Sequence, residues 1–241
     1  GACFMSKKIV ILQLYPSEMN VYGDFGNTLC LKKRLEWRGY EVELREHHPN
    51  KKLSEDVDII IGGGGQDSGQ LKVKDDLLKI GPKLQKLANN GVPMLMICGL
   101  YQLFGRFFKT KEGLVIPGIG IFKAETYGGD KRLIGNIITK SQQFGEVIGY
   151  ENHSGLTYLD KDQPSLGQVI KGDGNNTKDK SEGAKYKNVI GTYLHGSLLP
   201  KNPEIADFLI KQAIKKELGP IDEEISYIEE HARLISKKRP R

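Results

Sequence analysis

Two side chains in this sequence have the type and the setting to do covalent chemistry. Cys98 closes an apolar run, Val92–Cys98 (VPMLMIC), and is followed at once by Gly99 and a helical stretch to Phe108. A thiol on a strand-to-helix turn stands clear of its own backbone. It also lies beside the N–H groups of the following helix, which favour the thiolate, the nucleophilic form. Position alone leaves a second reading open, a small buried core residue; Cys30, inside a helical pattern, reads as packing. A thiol nucleophile needs a base, and the histidines are at 47, 48, 153, 195 and 231. His195 also ends an apolar run, Val189–Leu194 (VIGTYL), and precedes Gly196. If both runs are inner strands of one parallel sheet, Cys98 and His195 meet at the edge where such sheets bind ligands. His47 and His48 follow an outer strand, and His231 reads as helix surface. His153, in the loop-like YENHSG, ranks second as a base. A third feature is Gly62–Gly65, directly after the largely apolar Val57–Ile61. A glycine run there can turn backbone N–H groups toward an oxyanion or a phosphate. No Lys-Ser or Lys-Thr follows, so it is no Walker A loop, and a flexible loop is its plain alternative.

The elements that must position these groups follow α/β grammar. Lys8–Tyr15 reads as a buried first strand, Pro16–Asn27 as a turn-rich loop, Thr28–Arg38 as a helix stopped by Gly39, and Glu41–Glu46 as an outer strand. Lys72–Asn90 is helical in pattern, with a break expected near Gly81-Pro82. The expectation is a mainly parallel central sheet flanked by helices. From about 113 to 172 the chain becomes glycine-rich with short alternating runs, Leu133–Ile138, Val147–Tyr150 and Leu166–Ile170. That pattern predicts a more antiparallel, β-rich segment closing the sheet. Lys171–Gly183 reads as a polar loop, Pro203–Leu218 as a helix with Pro at its first position, and Asp222–Lys237 as a final helix. Residues 1–4 read as an addition ahead of a native start at Met5. Residues 5–203 then form one domain, and 204–241 supply C-terminal helices and a basic tail.

Composition bounds the function. The chain has 241 residues, 38% hydrophobic and 27% charged, which excludes disorder for its bulk. Three cysteines, at 3, 30 and 98, make neither a disulfide scaffold nor a metal-ligand spacing, so no metal is expected. No apolar run is long enough to span a bilayer, and no signal peptide is visible; a reducing, cytoplasmic setting is expected. Net charge is +6, but the last five residues carry four positive charges, so the body is nearly balanced. A nucleic-acid-binding module would spread Lys and Arg across a face, so no nucleic-acid partner is expected and the tail reads as a solvated end.

Together these residues resemble the class I (triad) glutamine amidotransferases, in which a strand–glycine run, a strand–Cys–helix turn and a strand–His come in this order. Within that family, ICGLYQLFG at 97–105 is similar to the CGGYQ-x-x-G of the CobB/CobQ (cobyric-acid-synthase-like) branch. More narrowly, several stretches resemble the glutaminase subunits of lipid II isoglutaminyl synthases. They are NVYGDFGN (20–27), GGGQD (63–67), RLIGNI (132–137), GYENHSGLTY (149–158), GNN (174–176) and YKNVIGTYLHGSLLPKN (186–202). The resemblance covers about residues 8–215 and implies roles one by one. Cys98 attacks the side-chain amide of L-glutamine, and His195 takes the thiol proton and returns it to departing ammonia. Arg132 holds the substrate carboxylate, which suits a guanidinium; without the family it reads as an exposed arginine at a strand edge. Gly64 or Gly65, with Gly99, supplies oxyanion N–H groups. No cofactor is implied in this chain. ATP and Mg are expected on a Mur-ligase-like (MurT-type) synthase subunit that uses the ammonia to amidate the D-glutamate α-carboxyl of lipid II. An amidotransferase serving another CobB/CobQ-type synthase, a stand-alone Cys peptidase and a non-catalytic module are the alternatives. Two departures stand out. Ser197 occupies the position, two beyond His195, where the family has Glu, which leaves the third acid unassigned. Leu100 stands where the branch has Gly and is expected to narrow the pocket mouth. The 16–27 loop (with Met19, Val21 and Phe25 as exposed apolar residues), the glycine loop and Tyr150–Tyr158 are expected to rim the pocket and meet the partner.

Overall fold

The computed structural model describes residues 7–20, 24–215 and 223–239. Residues 1–4, Val21 and the expected helix end at 216–218 lie outside the described residues. In chain order the elements are β1 (Lys8–Leu14), α1 (Phe25–Trp37), β2 (Glu41–His47), β3 (Ile59–Gly62), α2 (Asp67–Asn89), β4 (Met94–Ile97) and α3 (Gly99–Phe104). Then come β5 (Phe107–Lys109), β6 (Val115–Pro117), β7 (Ala124–Ser141), β8 (Gly145–Leu159) and β9 (Gly167–Lys171). β10 (Ser181–Glu182), β11 (Ala184–Tyr186), β12 (Val189–Thr192), α4 (Leu198–Lys201), α5 (Pro203–Ile214) and α6 (Glu223–Lys238) follow. No described helix is long and apolar enough to cross a membrane.

The first sheet has the order β11-β12-β4-β3-β1-β2. All its pairings are parallel except β11 with β12. Its inner strands are continuous apolar runs because helices cover both faces. Every residue of β3, β4 and β12 is buried, and so is all of β1 beyond Lys8. Each such Ile, Leu or Val side chain contributes about 1.5–3 kcal/mol on burial. Parallel pairing brings the C-terminal ends of β1, β3, β4 and β12 to one edge. Asp24, the glycine run, Cys98 and His195 all emerge there.

The β-rich middle does not close this sheet. It forms a second sheet of its own, β10-β9-β7-β5-β6, with β8 on β7. Its backbone is the long β7–β8 hairpin, whose register shifts between Gly128 and Leu133. Two of the three short alternating runs, Leu133–Ile138 and Val147–Tyr150, thus belong to two long strands, and the third, Leu166–Ile170, falls almost wholly in β9. Two helix bounds also differ from expectation. α2 starts at Asp67 and runs unbroken through Pro82. The Pro82 ring is exposed, and so is Leu78, whose carbonyl loses its helical partner on the solvent side, where water can satisfy it. α5 ends at Ile214, where Lys215 adopts φ +56° and closes the helix in the left-handed conformation.

Candidate active site

Cys98 is the hinge between β4 and α3. Its backbone has φ +50° and ψ −103°, a conformation that a residue with a Cβ avoids and that is held here from both sides. Its N–H donates to Thr192 O at 2.9 Å, and its carbonyl accepts from Gln102 N at 3.0 Å. The thiol is 5% exposed and lines a cavity of about 390 Å³. His195 lies three residues past β12, not at its end. An isolated antiparallel bridge to Tyr150 of β8 fixes its backbone, with His195 N donating to Tyr150 O at 2.8 Å. The imidazole is buried, and the neighbouring Cys98 side chain is one of the groups that stabilise its charge, so the two residues expected to meet do meet.

The acid that faces His195 is Asp24. It is fully buried, and its Oδ1 lies 3.1 Å from His195 Nδ1. Its Oδ2 accepts the Gly64 N–H at 2.9 Å. Asp24 stands at the N-cap of α1 but makes no cap hydrogen bond with its side chain. The start of α1 is held against the segment that follows His195. A Cβ on Gly26 would fall 2.1 Å from Ser197 Oγ, and Asn27 Oδ1 accepts the Leu199 N–H at 2.9 Å. Ser197 therefore packs where a Glu side chain would otherwise reach the imidazole. Burial disfavours a charged His195, but the hydrogen bonds to Asp24 and Cys98, with the charges of both, outweigh it and push the imidazole up to about 10. At neutral pH the arrangement favours an imidazolium held between the Asp24 carboxylate and the Cys98 sulfur.

The glycine run divides its work. The Gly64 N–H is committed to Asp24, which leaves the Gly65 N–H, beside Gly99, as the donor available near the thiol. Close approach is what requires glycine at 65 and 99. A Cβ on Gly65 would lie 2.6 Å from Met19 Sδ, and one on Gly99 would lie 2.6 Å from Met19 Cε. Met19 is thus fully buried beneath these loops and is not the exposed interface residue expected; Phe25 is half-buried. Leu100 is also fully buried, and a Cβ on Gly62 would lie 2.4 Å from its Cδ1, so it fills core space and does not narrow the pocket mouth.

Arg132 sits at the β7 bulge and lines the same cavity as Cys98, donating from Nη1 to Asn152 Oδ1 at 2.8 Å. Asn152 was not singled out from the sequence; it orients this guanidinium. His153 lies on strand β8, not in a loop. It is buried, its Nδ1 is 2.8 Å from Gly155 O, and its ring stacks on Tyr193 at 3.6 Å. It lines the cavity without taking the place of His195. Below the thiol, Gln70 Nε2 donates to Gln102 Oε1 at 2.8 Å and Gln102 Nε2 to Tyr193 OH at 3.0 Å, a buried polar floor that fixes α3 against β12.

A model of the CobB/CobQ-like glutamine amidotransferase domain matches residues 9–203. The chain is 38% identical over 216 residues to the lipid II isoglutaminyl synthase (glutamine-hydrolyzing) subunit GatD of Staphylococcus aureus (strain N315), covering 89% of this chain and 88% of that protein. It is 39% identical over 212 residues to the subunit of the same name from Streptococcus pneumoniae (strain ATCC BAA-255 / R6), covering 87% and 82%. The fold is shared with a solved structure of PurLQS from Thermotoga maritima, with TM-score 0.59 at 16% identity, over 88% of this chain and 99% of that one. The chain belongs to the CobB/CobQ-like glutamine amidotransferases.

Proposed function

We propose that this chain is the glutaminase subunit of a lipid II isoglutaminyl synthase. It hydrolyses L-glutamine to glutamate and ammonia, and a Mur-ligase-like (MurT-type) subunit, binding ATP and Mg, uses the ammonia to amidate the D-glutamate α-carboxyl. The observation that carries the reading is the continuous line Cys98–His195–Asp24, opening on a cavity whose lining includes Arg132. The names of the two relatives support the pathway.

The steps follow from the groups. With the Cys98 proton passed to His195, the thiolate attacks the carboxamide carbon, and the carbonyl π electrons move onto oxygen, where the Gly65 and Gly99 N–H groups receive the charge. The His195 imidazolium gives its proton to the leaving nitrogen as the C–N bond breaks, releasing ammonia and a thioester. The neutral imidazole then takes a proton from water, whose oxygen attacks the thioester; glutamate leaves and the thiolate returns. Asp24 holds the ring and its charge throughout.

The test is stoichiometry. The purified chain with L-glutamine should release glutamate and ammonia one for one, and with its partner, ATP and lipid II the nitrogen should appear as D-isoglutamine. Absence of glutaminase activity, alone and in complex, would overturn the reading. Failure to associate with any such ligase would remove the pathway and leave the chemistry. Arg132→Ala should chiefly raise the KM for glutamine. The site is open to water, so the loss belongs at the lower end of the roughly 10–150-fold range for a charge-assisted pair; unchanged steady-state parameters would exclude the clamp. Phe25→Asp should weaken co-purification with the ligase while glutamine hydrolysis persists, and a complex of normal stability would take this loop out of the interface.

A further inference from the structure

The cavity beside Cys98 is electrically unusual. Among the described residues that line it, one side chain carries a carboxylate, Asp67, and one a guanidinium, Arg132. They come from different walls: Asp67 opens α2 just after the glycine run, and Arg132 lies on the β7 bulge. Neither charge is met by an opposite one. Arg132 is bonded to the neutral amide of Asn152, and Asp67 has no ion pair among the described residues. Some other exposed acids do have cationic partners, Asp130 with Lys111, Asp160 with Arg106 and Asp162 with Lys123, but none of these lines this cavity. Two unmatched charges of opposite sign on one small cavity describe the complement of a zwitterion.

We infer that Asp67 receives the α-ammonium of the substrate while Arg132 receives its α-carboxylate, so that the pocket selects a free α-amino acid amide. The inference rests on the glutaminase reading and adds to it a residue that sets specificity. The position of Asp67 supports the orientation as well as the contact. The N-terminus of a long helix attracts any carboxylate. Asp67 occupies that end of α2 with a fixed negative charge, which turns the substrate carboxylate away from the helix and toward Arg132. With both α-substituents held, the side-chain amide is the part left to reach Cys98. Asp67 would serve its own helix equally well in the absence of any substrate, so the two roles separate on substrate structure.

The experiment compares L-glutamine with 4-carbamoylbutanoate, which is glutamine without its amino group, on the full chain. The wild type should prefer glutamine in kcat/KM by about tenfold or more. Asp67→Asn should raise the KM for glutamine by about tenfold with little change in kcat, and leave kcat/KM for 4-carbamoylbutanoate unchanged, so the preference collapses. Asp67→Glu, which keeps the charge, should retain the larger part of the preference. An equal loss on both substrates, or no loss on glutamine, would overturn the inference while leaving the glutaminase standing. Release of ammonia from neither substrate by the wild type would overturn the glutaminase reading and this inference with it.

Discussion

Cys98→Ala should lower glutamine hydrolysis by roughly 10⁴-fold or more, because the thioester on which the two half-reactions depend can no longer form. The protein should still fold. One sulfur is removed from a small buried side chain, a change in the usual range of about 1 kcal/mol. The backbone bonds that hold the turn, from Cys98 N to Thr192 O and from Gln102 N to Cys98 O, involve no side chain and persist. The informative comparison is Cys30→Ala. That thiol is half-buried on α1, and burial pushes it up to about 12, so it is a thiol and not a nucleophile at neutral pH. Its removal should cost a modest packing term and leave ammonia release near the wild-type rate. Mass spectrometry of the wild type treated with an electrophilic glutamine analogue should find the label on Cys98. Glutaminase activity surviving in Cys98→Ala would move the reaction to another site.

How far the sequence reveals this depends on whether a residue's setting is local. β1, β3, β4 and β12 are legible because strands buried on both faces are apolar throughout. Cys98 and His195 are legible because each follows such a strand and is followed by glycine. Arg132 becomes legible only through family resemblance, since an arginine at a β-bulge looks like any exposed one. Asp24 is illegible for a physical reason: an aspartate before a helix reads as a cap, and the ring it serves is 171 positions away. His153 is misread because Asn, His, Ser and Gly in succession are a loop composition. In the folded chain the backbone N–H groups of Asp173 and Gly174 satisfy buried Glu151, the Gly155 carbonyl meets His153 Nδ1, and a polar stretch becomes a strand. Met19 shows the same limit. Its burial depends on glycines at 65, 69 and 99, which no pattern in its own loop announces.

Asp24→Asn tests the assignment that sequence alone did not make. The amide is the same shape, but it carries no charge for the imidazolium and can hold the ring in the wrong tautomer, so kcat should fall by about 10³–10⁴-fold with Cys98 untouched. The pH dependence separates this from a mere packing defect. In the folded wild type His195 is pushed up to about 10 from an ordinary value of 6.5. A group raised on folding adds stability that is complete below its unfolded value and disappears as pH rises through its folded value. The contribution from His195 is therefore full below pH 6.5, declines between 6.5 and about 10, and is gone above. Replacing Asp24 removes the largest of the attractions that hold the charge, so the alkaline limb of the activity profile should move to lower pH. The stability gap between wild type and Asp24→Asn, read as a urea midpoint, should be widest near pH 6 and narrow toward pH 10. Asp24→Ala should be worse at every pH, since it also leaves the Gly64 N–H without its acceptor and loosens the loop that carries the Gly65 N–H. A variant at position 24 with wild-type kcat and an unmoved alkaline limb would mean that another group orients His195.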